Sequence, residues 1–184
     1  MKPIFIIGYM GSGKSTLGKK LAESMSLPFI DTDIFMENRF RQRISDMFAS
    51  IGETKFRKRE AVIIQELSGM QDCIIATGGG LPCHSGNMEL MNESGVTIYL
   101  DVDNETLAKR LELCKRTRPT IKDKSGDELM DHVVKAMQTR LPIYKQARLS
   151  LPCNKMETPE DEDILVKEIE KMLSVYNSTE EPKL

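Results

Sequence analysis

The sequence predicts an α/β fold in which a five-stranded parallel sheet is covered by helices on both faces. Short apolar runs alternate with longer segments of helical periodicity, as expected for strands that are buried on both faces. The runs occupy residues 4–7, 29–31, 73–76, 96–100 and 149–153. The chain has 184 residues, a length typical of one domain. We therefore expect a single domain over residues 1–175.

A phosphate-binding loop is predicted directly after the first strand. Residues 8–15 spell G-x-x-x-x-G-K-S, and a helical pattern begins near Lys14. Glycines allow backbone N–H groups to converge on phosphate oxygens at a helix N-terminus. In such a loop Lys14 neutralises the outer phosphates and the Ser15 hydroxyl binds Mg²⁺. The predicted nucleotide-binding residues here are Gly11, Ser12, Gly13, Lys14, Ser15 and Thr16.

Two carboxylates follow the second strand, in the sequence Asp31-Thr32-Asp33. The carboxyl edge of a parallel sheet is where ligands bind, so both should lie beside the loop. One of the two could hold the metal while the other orients or deprotonates an attacking hydroxyl. The alternative for Asp33 is a purely structural N-cap of the next helix.

The segment between the second and third strands holds two or three helical patterns instead of one, so it does not fit the simple alternation of strand and helix. On one of these patterns Glu53, Arg57 and Glu60 share a polar face. A surface row of ion pairs explains this face equally well.

Three glycines, Gly78, Gly79 and Gly80, end the third strand. They indicate close approach of the backbone to an anionic or hydroxylated ligand, or else a sharp turn.

A polar stretch rich in Arg and Lys predicts a lid over residues 113–127. Arg118 within it is placed to neutralise charge on a transferred phosphoryl group, and Arg110 before it to lie over a nucleotide base. Beyond it, Arg140 could grip a carboxylate together with Arg57.

The last strand and helix have clear boundary signals. Pro152 cannot donate to a sheet ladder, which predicts an edge strand. Thr158 and Pro159 predict the N-cap and first residue of a closing helix that ends near Ser174. Residues 176–184 are expected to form a flexible tail.

Composition excludes several partners. Lys and Arg total 26 against 28 Asp and Glu, a formal net charge of -2, so nothing favours nucleic acid or an anionic membrane. The apolar runs are too short for a signal peptide or membrane span, and four widely spaced cysteines fit a reducing compartment. We expect a cytoplasmic monomer.

Taken together, these motifs resemble the shikimate kinases, a branch of the P-loop kinases related to nucleoside monophosphate kinases. The resemblance spans residues 4–173, and its motifs are the phosphate loop, Asp31-Thr32-Asp33, Gly52-Glu53-x-x-Phe56-Arg57, the three glycines, Arg118-Pro119 and Arg140-x-Pro142-x-Tyr144.

The resemblance implies ATP-dependent phosphorylation of the 3-hydroxyl of shikimate, with Mg²⁺, on the route to chorismate and aromatic amino acids. By the same resemblance, Asp33 is the favoured base, and Asp31 binds the magnesium shell together with Ser15. Arg57 and Arg140 hold the shikimate carboxylate, and the Gly79 backbone contacts the substrate. The resemblance also implies a substrate-binding subdomain over residues 33–68. Lys14, Arg118 and Asp33 would be the catalytic residues.

Three other interpretations remain open on the residues alone. A related kinase could act on gluconate or a nucleoside monophosphate. A GTP-binding switch is suggested by Asn154-Lys155-Met156-Glu157, close to N-K-x-D, and by Asp123-Lys124-Ser125-Gly126, which matches D-x-x-G. A silent nucleotide-binding relative would be expected to lack Asp33 or Lys14, and both are present.

Overall fold

A computed structural model describes residues 1–114 and 121–180 of the chain. The strands are β1 (Ile4–Ile7), β2 (Phe29–Asp31), β3 (Ile74–Ala76), β4 (Val96–Asp101) and β5 (Leu149–Pro152). The helices are α1 (Lys14–Met25), α2 (Thr32–Phe40), α3 (Ile44–Ser68), α4 (Asn87–Ser94), α5 (Asn104–Cys114), α6 (Gly126–Tyr144) and α7 (Pro159–Glu180), with a short 3₁₀ turn at Leu81–Cys83.

All five strands pair in parallel, in the order β2-β3-β1-β4-β5. Every residue of β1 is fully buried, as required when helices cover both faces of the central strand. The predicted fold class is therefore confirmed. The loops that follow β1, β2 and β3 lie side by side because these strands are neighbours and point the same way.

The edge position of the last strand is also confirmed. β5 pairs only with β4 in the described sheet, and Pro152 stands opposite Asp101 at the end of the ladder. There the missing N–H of proline interrupts nothing, and the N–H of Cys153 takes up the bond to the Asp101 carbonyl at 2.8 Å.

The segment between β2 and β3 forms three helical pieces. Gly52 interrupts α3 with φ 74° and ψ 166°, a backbone conformation that is essentially restricted to glycine. The prediction of two or three helical patterns is confirmed, and the kink separates residues 44–51 from residues 53–68.

The start of α7 is as predicted, but its end is not. Thr158 Oγ1 accepts from the N–H of Asp161 at 3.2 Å, and Asp161 accepts from the N–H of Thr158 at 3.1 Å, which forms a reciprocal capping box. The helix continues to Glu180, six residues beyond the predicted end, because Tyr176 still packs against the core. The expected tail at residues 176–180 is thus helix.

Part of the predicted lid lies within the described residues. Residues 115–120 lie outside the described residues, but Ile121 is fully buried and α6 already begins at Gly126. The end of the polar stretch is therefore anchored to the domain.

Candidate active site

The loop after β1 has the geometry that its sequence predicts. Gly8, Gly11 and Gly13 have φ angles of 147°, 82° and 97°, which side chains with a Cβ rarely adopt. α1 begins at Lys14 with Gly13 as its N-cap, so the N-terminus of the helix adds partial positive charge to the loop. The loop is a preformed anion cradle.

Lys14 and Ser15 lie where a nucleotide and its metal would need them. Lys14 is largely buried, and its Nζ donates to the carbonyl of Tyr9 at 2.8 Å. The Ser15 hydroxyl donates to Asp31 Oδ2 at 2.7 Å. Hydroxyl and carboxylate oxygens are the ligands that Mg²⁺ prefers, so this pair fits the predicted metal site.

The two aspartates after β2 have different positions. Asp31, not Asp33, is the N-cap of α2, since its Oδ1 accepts from the N–H groups of Asp33 and Ile34 at 3.0 and 3.4 Å. The prediction that Asp33 is the N-cap of this helix is therefore wrong. Asp33 lies in the first turn of α2, half-buried, with a carboxylate oxygen against Gly78.

Each of the three glycines after β3 makes room for a different neighbour. A Cβ on Gly78 would lie 2.5 Å from Asp33 Oδ1, one on Gly79 3.2 Å from the Met10 nitrogen, and one on Gly80 2.9 Å from an Arg57 nitrogen. None of them has a positive φ. The chain does turn here, since the N–H of Leu81 donates to the Gly78 carbonyl at 3.1 Å, but the backbone angles are ones that other residues also adopt. The absence of side chains leaves room for the three neighbours.

The N–H of Gly78 is occupied within the protein. It donates to the Thr32 hydroxyl at 2.8 Å, and Thr32 is fully buried. This bond fixes the loop after β3 to the start of α2. Gly78 is thus a spacer beside Asp33, and a ligand hydrogen bond to its N–H would have to replace an existing one.

Arg57 is held by both acidic residues of its helical face. It donates to Glu60 at 2.7 Å and to Glu53 at 3.2 and 3.3 Å. The predicted ion-pair row is present, but only Glu53 is at the surface, because Glu60 is 2% exposed. The ring faces of Phe48 and Phe56 also lie within 6 Å of the guanidinium.

Burial raises the pKa of Glu60 to about 7, despite the opposing charge of Arg57. The negative charge of Asp33 raises the same pKa further, and Arg140 lowers it. A buried carboxyl that responds to these three side chains lies among the predicted acceptor-binding residues.

Arg140 approaches the cradle from α6. Its guanidinium lies over the ring of Tyr9, 5.2 Å from the centroid. Tyr144, one turn later, stacks on Tyr99 and donates its hydroxyl to the Gly79 carbonyl at 2.6 Å. The sequence Arg140-x-Pro142-x-Tyr144 thus joins the end of α6 to both the cradle and the glycine loop.

Two arginines, Arg110 and Arg118, are predicted to contact the nucleotide, and Arg110 lies within the described residues. Arg110 lines the cleft, and its guanidinium donates to the carbonyls of Cys153 and Asn154 at 3.0 and 2.9 Å. Arg118 lies outside the described residues. The contact of Arg110 with a base and the catalytic role of Arg118 stay predictions.

One cleft of about 300 Å³ brings most of these groups together. Its lining includes the following predicted site residues: Gly11, Gly13, Lys14, Ser15, Thr16, Asp31, Asp33, Gly78, Gly79 and Arg110. Gly80, Arg57 and Arg140 adjoin it through the contacts described above. Ser12 is buried beneath the cradle.

The motifs of a GTP-binding switch serve structural purposes here. Asn154 Oδ1 accepts from the N–H of Asp103 at 2.9 Å, and Lys155 pairs with Asp161 at 3.1 Å. The D-x-x-G match leads into α6 and not out of a strand, so it does not occupy the position of a γ-phosphate sensor.

Sequence reasoning missed Thr32, Tyr9 and the burial of Glu60. The sequence gives no signal for Thr32, because the two aspartates beside it carry the recognisable chemistry. Glu60 belongs to a charged helical face, and such faces are usually exposed. Tyr9 occupied a variable position of the loop motif, where only the fold could bring it against Arg140.

Two wider observations concern the described residues. None of the helices in residues 1–114 and 121–180 combines the length and apolar character needed to span a bilayer. Within the same residues no group of three or more His, Cys, Asp or Glu side chains could hold a metal ion.

Comparison with known proteins indicates one family. The family model described as shikimate kinase matches residues 10–173. A shikimate kinase from Parabacteroides distasonis is 47% identical over 161 residues, which cover 88% of this chain and 93% of that protein.

Solved structures agree with this. A crystal structure of shikimate kinase from Bacteroides thetaiotaomicron is 38% identical with a TM-score of 0.91, and the match covers 94% of this chain and 98% of that one. Shikimate kinase from Acinetobacter baumannii, in complex with shikimate, is 27% identical with a TM-score of 0.82, over 95% of this chain and 94% of the other. The chain belongs to the shikimate kinase family.

Proposed function

We propose that this protein transfers the γ-phosphoryl group of ATP to the 3-hydroxyl of shikimate, giving 3-phosphoshikimate and ADP. One observation supports this acceptor above all. The Asp33 carboxylate and the Arg57 guanidinium pack against neighbouring glycines of one loop, beside the phosphate cradle. A small acid with hydroxyl groups needs this combination, a hydroxyl partner next to a carboxylate partner.

The donor is bound by the cradle. Backbone N–H groups and the N-terminus of α1 receive the phosphates, and Lys14 neutralises their charge. We infer that Mg²⁺, held by Ser15 and Asp31 together with the phosphates, supplies charge neutralisation at the transferred group. Arg118 adds positive charge from the lid.

The acceptor is bound between the glycine loop and the two arginines. Arg57 and Arg140 bind the carboxylate, and the N–H of Gly79 bonds a ring hydroxyl. Asp33 then orients the 3-hydroxyl toward the γ-phosphorus and takes its proton as the new O–P bond forms and the bond to ADP breaks. In a loose phosphoryl transition state this positioning provides most of the rate.

The remaining expectations follow from the family and the site. Residues 33–68 supply much of the acceptor pocket, residues near the described end of α5 and start of α6 flank the lid, and the protein works as a cytoplasmic monomer.

The test is an ADP-release assay with shikimate, quinate, gluconate and nucleoside monophosphates as separate acceptors. We expect a shikimate-dependent rate that exceeds the rate with every other acceptor. A higher rate with gluconate or a nucleoside monophosphate would assign the protein to a different reaction. Repeating the assay with GTP in place of ATP tests the donor.

A further inference from the structure

Tyr9 is a member of the phosphate loop that also contacts the acceptor side of the cleft. It occupies the second position of the motif, and its side chain is 1% exposed. Here an aromatic ring is directed out of the cradle and toward α6.

The ring of Tyr9 supports Arg140. The guanidinium carbon lies 5.2 Å from the ring centroid, within the range of a cation–π contact. Arg140 is half-buried, so the contact is partly shielded from water. Cation–π contacts are stronger when they are shielded in this way. It restricts the directions in which the guanidinium can point.

The backbone of the same residue is bound to the donor side. The Tyr9 carbonyl accepts from Lys14 Nζ at 2.8 Å and from the N–H of Ser12 at 3.2 Å. Phosphates in the cradle would compete with this carbonyl for the Lys14 ammonium. Tyr9 thus contacts Lys14, on the donor side, through its backbone carbonyl. It contacts Arg140, on the acceptor side, through its ring.

We propose that Tyr9 is a positioning residue that aims Arg140 at the acceptor carboxylate and links this aim to the state of Lys14. The proposal rests on the proposed function, because it takes Arg140 as a carboxylate-binding group. It adds a residue of the phosphate loop to the determinants of acceptor affinity.

Steady-state kinetics of Tyr9→Leu and Tyr9→Phe test the first half of the proposal. Tyr9→Leu removes the ring, and we expect the KM for shikimate to rise about tenfold, while the KM for ATP stays within about twofold. Tyr9→Phe keeps the ring and should restore the KM for shikimate to within about threefold of the unmodified protein.

Phe5→Leu is the matched control. Phe5 is a fully buried aromatic residue of β1 that packs against Gly95, away from the cleft. Loss of the Phe5 ring should lower the melting temperature without changing the KM for shikimate or the KM for ATP. If Tyr9→Leu does not fold, Tyr9→Met takes its place, since methionine fills buried space flexibly.

Binding of shikimate with and without saturating ADP tests the second half. Because coupling is reciprocal, the ratio of the two dissociation constants measures the link directly. We expect a ratio different from one in the unmodified protein and in Phe5→Leu, and a ratio close to one in Tyr9→Leu.

Several results would overturn the proposal. They are an unchanged KM for shikimate in Tyr9→Leu, an equal loss in Tyr9→Phe, a parallel rise of the KM for ATP, or a binding ratio that Tyr9→Leu leaves as it was. By contrast, an unmodified protein with no shikimate-dependent rate would refute the proposed function itself, and this inference with it.

Discussion

The two aspartates after β2 make different contacts, which their positions in the sequence do not reveal. Asp31 uses one oxygen to cap α2 and the other to accept from Ser15. Asp33 therefore does not cap the helix, and its carboxylate faces the glycine loop. Under the proposed function, this separation allows Asp31 to serve the metal while Asp33 serves the hydroxyl.

Asp33→Asn tests the role of the second aspartate. Asparagine keeps the size and much of the hydrogen bonding but cannot accept a proton, so we expect turnover to fall at least about 100-fold. ADP binding, measured by calorimetry, should stay within about twofold because the cradle is unchanged. Turnover near that of the unmodified protein would remove Asp33 as the base and leave positioning and charge as the source of rate.

The buried carboxyl of Glu60 predicts a pH dependence of stability. Burial raises its pKa to about 7 in the folded protein, from 4.5. A raised pKa means that the folded state holds the proton more tightly, so this group stabilises the fold fully below pH 4.5 and loses that contribution as the pH rises through 7.

Glu60→Gln provides the comparison, because glutamine resembles the protonated carboxyl at every pH. We expect the free energy of unfolding of the unmodified protein, relative to Glu60→Gln, to fall by on the order of 3 kcal/mol between pH 4.5 and 8. Urea denaturation at several pH values measures this. A constant difference across the range would show that Arg57 keeps Glu60 ionised throughout.

At the scale of elements, the kink in α3 is the most distinctive feature. Gly52 ends the piece that carries Phe48 and begins the piece that carries Glu53 and Arg57. Because a Cβ at Gly52 would meet no atom within 4 Å, its glycine is required by the backbone angles alone. The direction of the Arg57 helix therefore depends on a single residue.

Gly52→Ala should be destabilising without a steric clash. The φ of 74° and ψ of 166° are unfavourable for alanine by about 1–3 kcal/mol. If the helix straightens to avoid this strain, Arg57 moves and the KM for shikimate rises as well. Gly69→Ala is a suitable control, since Gly69 ends the same helix with an ordinary helical backbone. Equal effects of the two substitutions would contradict the account.

The elements were predicted well because their signals are local. Strand bounds agree within one residue, and the phosphate loop, the cap at Thr158 and the edge position of Pro152 each depend on chemistry within a few residues. The end of α7 could not be predicted, since Tyr176 extends the helix through packing against distant parts of the chain. The burial of Glu60 and the contact between Tyr9 and Arg140 could not be predicted either, because both exist only after folding.

At the scale of the whole molecule, ligand binding should be measurable as heat stabilisation. A ligand that binds only the folded state at 100 times its Kd adds about 2.7 kcal/mol, which for a chain of this length corresponds to a rise in Tm of roughly 5–10 °C. We expect this rise with ADP and Mg²⁺, and a smaller rise with GDP at the same concentration.

Lys14→Met is the control for that measurement. It removes the charge that we propose binds the phosphates and keeps an unbranched side chain in a largely buried position. The rise in Tm should therefore be lost while the fold persists. A larger rise with GDP than with ADP in the unmodified protein would reverse the assignment of the donor.

The glycine loop after β3 has a consequence for how this enzyme can diverge. Its three residues each touch a different part of the cleft: Asp33, the phosphate loop and Arg57. A mutation that shifts the loop to favour a new acceptor is expected to disturb the phosphate loop and the proposed catalytic carboxylate at the same time. Change of specificity is therefore expected to come from α3 and from the residues around Arg140, while the loop itself stays fixed through evolution.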